Sequence, residues 1–131
     1  MRAVVSISVL AGTLLLTFGC SSSPNQGVKS GDGSSFAARF EAAKAIGPSS
    51  KRDPAHAKLA EDAAKAGEVE TVKKCLREIG SFSLKDDTAY KSALSLGKAS
   101  KADAATEVAK SIGLSSRRDE ALSKLAKSDY E

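Results

Sequence analysis

The side chains here that could do chemistry are two thiols, one imidazole and a set of evenly spaced cations. Cys20 and Cys75 are the only cysteines, and His56 is the only histidine. A lone imidazole needs a nucleophile or carboxylate partner to act as a general base, and none stands at a helpful spacing. His56 reads instead as a packed or half-exposed histidine. A zinc site would need further ligands at suitable intervals, and they are missing. The serine clusters have no histidine base beside them. Neither a phosphate loop nor a glycine-rich nucleotide motif occurs. The chain is therefore expected not to be an enzyme, to have no catalytic residue and to hold no metal.

The cations show more order. Lys51, Lys58 and Lys65 are evenly spaced, Lys91 and Lys98 repeat the same interval further on, and Arg117 and Lys124 do so again. On helices stacked in register, Lys58, Lys91 and Lys124 would form a ladder, with Arg52, Lys85 and Arg118 beside it. Such a ladder could hold an acidic partner segment, or lie against anionic headgroups or cell-wall carboxylates. The opposing reading is a solvated surface, since lysine is the ordinary solubilising residue of alanine-rich helices and Glu61 stands one helical turn before Lys65. Net charge is +4, and +3 once Arg2 is removed with a leader. That is too small for a nucleic-acid surface.

These residues need elements to position them. Residues 1–19 combine one cation, Arg2, with an apolar stretch over residues 3–16, closing on Thr17-Phe18-Gly19 ahead of Cys20. A membrane span needs about 20 apolar residues, so the run has the length of a signal sequence. An uncleaved N-terminal anchor is the alternative. Gly19-Cys20, followed by serines, resembles the lipobox of bacterial lipoproteins. The resemblance implies that Cys20 is lipidated and becomes the first mature residue. Several acyl chains hold a protein to a bilayer where one would bind reversibly. Ser21 after the cysteine resembles the residue choice that sorts lipoproteins to the outer membrane. The bulk of the chain then lies outside the cytoplasm, in the cell envelope, with the lipid on Cys20 as its only prosthetic group. Cys75 would have no intramolecular partner there, which favours a buried thiol over a redox-active one.

Residues 20–35 are rich in Ser and Gly, which predicts a flexible tether with a reach on the order of 20 Å. Beyond it the sequence repeats. Ile46-Gly47, Ile79-Gly80 and Ile112-Gly113 recur at one constant interval. The same interval separates Ser50, Ser83 and Ser116, and then Asp53, Asp86 and Asp119. Ser-x-x-Asp reads as a capping box opening a helix. Alternatively, in the first copy Asp53 is the cap with Pro54 at N1. Ser100-x-x-Asp103 reads as a further box, and Gly67 as a C′ glycine. Apolar residues at helical spacing then predict six helices over 36–131, in the order B-A-B-A-B-A, with Ile-Gly closing each B helix.

A 33-residue helix-turn-helix unit with a bulky aliphatic closing helix B, and with Arg52-Asp53, Lys85-Asp86 and Arg118-Asp119 opening helix A, resembles a bacterial variant of tetratricopeptide-like repeats. That resemblance implies an all-α fold: antiparallel helix pairs stacked as a short right-handed α-solenoid, with the A helices lining a concave face. The expected function is a membrane-anchored envelope lipoprotein that docks a protein or peptide partner on that face. The alternative is a structural envelope lipoprotein meeting cell wall or anionic membrane by charge. Two and a half repeats are near the lower limit for such a stack, so self-association through the C-terminal helix is a further expectation.

Overall fold

The computed structural model describes residues 35–130. The expected leader (1–19), Cys20 and all of the tether except Ser35 lie outside the described residues, as does Glu131. The described part is all-α, with six helices and no strand: α1 Phe36–Lys44, α2 Ser49–Lys65, α3 Val69–Glu78, α4 Phe82–Lys98, α5 Ala102–Lys110 and α6 Ser115–Lys127. Short helices of 9 or 10 residues alternate with longer ones of 13 or 17. Brief connections force successive helices to run back along one another.

α2 packs chiefly against α3 and α4, α4 chiefly against α2 and α5, and α6 against both α4 and α5. More than half of the buried apolar residues are alanines, including Ala60, Ala63, Ala64, Ala93, Ala105, Ala109 and Ala121, all fully enclosed. Small side chains let helix axes come close, but each one removes little surface from water. The larger anchors are Leu59, Val72, Leu76, Ile79, Leu96, Val108 and Ile112. Gly97 carries the principle furthest, since a Cβ there would overlap the Tyr130 ring and Leu125.

The helix ends correct several sequence expectations. Ser50, Ser83 and Ser116 are not caps. The N-cap positions are Pro48, Ser81 and Leu114, and none makes a side-chain capping bond. Pro54 is not at N1 either; it lies inside α2, whose first residue is Ser49. Among the described helices, only α1 has a side-chain cap, from Ser35, whose hydroxyl accepts from the Ala38 amide at 3.3 Å. Gly67 does end α2 in the left-handed region (φ 75°), with Gly67 N donating to Ala64 O and Glu68 N to Ala63 O. The same pair of bonds ends α4, but Ser100 takes the left-handed place there (φ 59°). Ser100 therefore terminates α4 and does not open α5. Ile79 is the C-cap of α3, whereas Ile46 and Ile112 lie just past their C-caps.

What the serines do not supply, the aspartates supply from a distance. Asp53 Oδ2 accepts from both the Gly80 and Ser81 amides at 2.9 Å, just ahead of α4. Asp86 accepts from the Gly113 amide at 3.0 Å and the Leu114 amide at 2.9 Å, just ahead of α6. Each latch spans 27 and 28 residues to the turn ahead of a longer helix, and both aspartates are only 6% exposed. A carboxylate at this place satisfies amides that the turn leaves without partners and faces the positive end of the helix dipole. Asp119, the third aspartate of the series, is 74% exposed along its side chain and pairs with Arg118 at 3.8 Å. Asp86→Ala is expected to destabilise the fold by about 2–4 kcal/mol, because it strands two turn amides. Asp119→Ala should change stability by less than about 0.5 kcal/mol. Urea melts followed by circular dichroism measure both, and equal losses would refute the latch as the reason these aspartates recur.

Candidate functional site

The expected basic ladder can now be placed side chain by side chain. Lys58 points off α2 and donates to Asp62 Oδ1 at 2.9 Å, one turn along the same helix. Lys91, on α4, crosses back to α2 and donates to Glu61 Oε1 at 3.2 Å. Two of the three rungs therefore end on neighbouring carboxylates, Glu61 and Asp62. Arg39 of α1 joins them by donating to Asp62 Oδ2 at 2.7 Å. Burial pushes the Asp62 carboxyl up, but the hydrogen bonds from Arg39 and Lys58 outweigh it and hold it below the usual carboxylate range. Lys58 is raised, first by its hydrogen bond to Asp62. Lys124, on α6, is half-buried and also has an interaction partner.

Arg52, Lys85 and Arg118 do not join this group. Arg52 is half-buried near the start of α2, its Nε enclosed without a hydrogen-bond partner. Arg118 turns to Asp119. Lys85 lines a different cleft, between α3, α4 and α5, together with Lys73, Arg77 and Glu107; Lys73 donates to Glu107 there at 2.8 Å. The six cations fall into separate neighbourhoods because residues 52, 85 and 118 lie near the helix starts, on the aspartate-latch side. Residues 58 and 91 lie about two turns further along.

A shallow groove on the ladder side is lined by Glu61, Lys65, Lys91, Leu94, Lys98 and Tyr130. It alternates charge sign around a small apolar floor. It can accept an extended segment that places an acidic side chain beside Lys65 or Lys98. Sequence reasoning had Glu61 pairing with Lys65 along the helix, and so missed the cross-helix pair to Lys91. The signal was available: one repeat period after Glu61 comes Leu94, and Lys91 stands one turn before it on the neighbouring helix.

α4 and α6 are stitched by a separate polar cluster. The Tyr90 hydroxyl donates to Glu120 Oε1 at 2.7 Å, Arg117 pairs with Asp87, and the Arg117 guanidinium lies 5.8 Å from the Tyr90 ring centroid. Burial, followed by the Glu120 hydrogen bond, raises the Tyr90 phenol to about 12.

The remaining reactive groups are enclosed. Cys75 is fully buried among Leu59, Ala60, Phe36 and Phe40, and burial raises its thiol to about 11. That makes it an inert packing residue. His56 is also fully buried, its ring tilted against Phe40 at 5.3 Å between centroids, and neither ring nitrogen has a hydrogen-bond partner. Among the described residues no three His, Cys, Asp or Glu side chains converge as a metal site would require.

Burial lowers the His56 pKa, with Arg52 and Lys44 acting in the same direction against Glu78 and Asp53. A folded-state value below the unfolded one, about 6.5, gives stability that is fully present above that pH and drains away below it. Thermal melts at pH 7.5 and 5.5 should show a loss of up to about 1.4 kcal/mol per pH unit in the wild type. His56→Leu, whose new side chain matches Leu122 in the same column, should abolish that slope; an unchanged slope would assign it to other groups. No protein-family model, no curated protein and no solved structure gives a significant match to this chain.

Proposed function

We infer that the chain is a lipid-anchored envelope protein whose six helices form a short right-handed α-solenoid of 33-residue repeats and act as a protein-docking module. The observation that carries this reading is the doubled latch. Asp53 and Asp86 reach the same turn, at the same separations of 27 and 28 residues, with the same two backbone amides. Tandem hairpins packed in one register produce that recurrence, and modules of this kind present an extended surface on which partners bind. The export-signal pattern ending at Gly19-Cys20 supports the anchor. The buried thiol and the histidine without a catalytic partner weigh toward binding over catalysis.

The docking face of this reading is the side of α2 and α4 that carries Lys65, Lys91 and Lys98, with Lys58 at its rim and Lys124 following on α6. Because Lys58 and Lys91 already meet Asp62 and Glu61, a partner segment would compete for them, which favours a short acidic peptide over a uniformly charged surface. A structural lipoprotein held to wall or membrane by charge alone would draw on the same lysines, and salt separates the two readings. Adhesion by charge fails at about 0.5 M salt, whereas apolar contacts at Leu94 and Tyr130 persist.

Two experiments test this function. Cys20→Ala should leave an unacylated precursor in the soluble and inner-membrane fractions, read by intact mass; an unmodified cysteine in the mature wild-type protein would remove the anchor. Crosslinking from intact membranes should recover a defined partner with the wild type. Recovery should fall at least about tenfold when Lys58, Lys91 and Lys124 are replaced by Gln, a loss of about 1.4 kcal/mol in binding. Equal recovery would relegate these lysines to solvated surface.

A further inference from the structure

Positions one repeat period apart are alike in burial in the middle of the described helices and unlike at the two ends. On the longer helices, His56 and Ala89, Leu59 and Ser92, and Ala60 and Ala93 are 0–2% exposed. In α6 the same columns hold Leu122 and Leu125, only half-buried, and Ala126, exposed. The shorter helices show the converse. Val72 and Ala105, Cys75 and Val108, and Ile79 and Ile112 are 0–3% exposed. In α1 and the turn after it those columns hold Arg39 and Ile46, half-buried, and Ala42, exposed.

The two uncovered faces are opposite halves of one interface. Leu59 and Ala60 of α2 share a buried cluster with Cys75 of α3. Moved along by two periods, Leu59 and Ala60 become Leu125 and Ala126. Moved back by one, Cys75 becomes Ala42. Beyond its contacts with α4 and α5, α6 thus offers the long-helix half of the joint with no further short helix against it among the described residues, and α1 offers the short-helix half with no described long helix before it.

We propose that two copies of this chain associate head to tail, the outer face of α6 of one receiving α1 of the next. The proposal rests on the repeat-stacking reading given above. It extends the latch as well. Asp119, exposed here, would accept from the Gly47 amide of the second copy, as Asp86 accepts from Gly113. A Cβ built at Gly47 meets nothing within 4 Å, so the approach is open. The residue after Gly47 is Pro48, which has no amide hydrogen, so this joint has one latch bond where the internal ones have two. The charges nearly cancel. Glu120 would face Lys51 of the second copy as Asp87 faces Arg117, while Lys127 would face Lys58 of the second copy where Glu61 meets Lys91. The joint is therefore a weaker repetition of those inside the chain, and it is heterologous: each copy keeps one free head and one free tail.

Native mass spectrometry of the full-length chain released from detergent tests this directly. The wild type should give dimers and longer species whose share grows with concentration. Ala126→Glu blocks the tail and Ala42→Glu blocks the head, both at exposed positions, so each variant alone should stay monomeric with unchanged helicity. An equimolar mixture of the two should form dimers and nothing longer, because one intact head and one intact tail remain. A wild type that stays monomeric overturns the proposal. So does an Ala42→Glu variant that still dimerises, which would mean α6 meeting α6, and so does a mixture that fails to pair. Should Ala126→Glu disturb folding, Asp119→Lys blocks the same face from an exposed side chain. The stacking reading has its own readout in the Asp86→Ala melt. A destabilised Asp86→Ala together with a monomeric wild type removes the self-association and leaves the repeats. An Asp86→Ala variant that melts like its parent removes both.

Discussion

A carboxylate buried beside two backbone amides holds this structure in register. Enclosing an ionised side chain is costly unless its charge is met by donors. Asp86 meets its donors with both oxygens and Asp53 with Oδ2 alone, its Oδ1 enclosed without a partner, on turn amides at the entrance to α6 and α4. Each group needs the other, so the relative placement of consecutive hairpins is fixed at one point. The glycines at 80 and 113 keep that point narrow. At Gly80 a Cβ would sit 3.4 Å from Asp53 Oδ2, and at Gly113 it would overlap the Phe82 ring.

Away from the latches, the core is soft. Alanine contacts are numerous but individually small, and the fold places a histidine with two unpartnered nitrogens, a free thiol and the Ser92 hydroxyl in its interior. These groups contribute less than apolar residues of the same volume would. Such a core favours helices that lean on their neighbours, and it concentrates specificity in the few directional bonds. The ion pairs outside, Lys91 with Glu61, Lys73 with Glu107 and Arg117 with Asp87, each join elements distant in sequence, but half-exposed pairs add little energy. Their effect is on which surfaces remain charged. They convert an apparent stripe of lysines into a mosaic of both signs, which suits selective docking better than general adhesion.

The alternation of short and long helices has a consequence for association. Among the described residues the series opens on a short helix and closes on a long one, which leaves complementary faces on α1 and α6. Tethering to a common bilayer would hold neighbouring copies at high effective concentration, so even a weak joint could matter there. Lateral association would involve the ends of the series and partner docking the flank of α2 and α4, and the two surfaces adjoin at Lys58.

Helix number, type and order were legible in the residues, because apolar spacing and the repeat period act locally and over one hairpin at a time. Gly67 as a helix terminator and Cys75 as a packed thiol were equally readable. The roles of the aspartates were not. Ser-x-x-Asp matches a local capping box, and only the position of the next hairpin shows that the carboxylate reaches forward to the following turn instead of back to its own helix start. The surroundings of the lysines were hidden in the same way. Periodicity placed the cations in columns, but whether each stays solvated or meets Asp62 or Glu61 depends on how far one helix is shifted along another. By itself, then, the sequence determined where the chain turns and which faces are apolar, since both follow from short-range stereochemistry and water. Tertiary structure alone decided which amides each carboxylate satisfies, which charges survive on the surface and which faces remain uncovered, because those outcomes depend on distances between segments that no local pattern encodes.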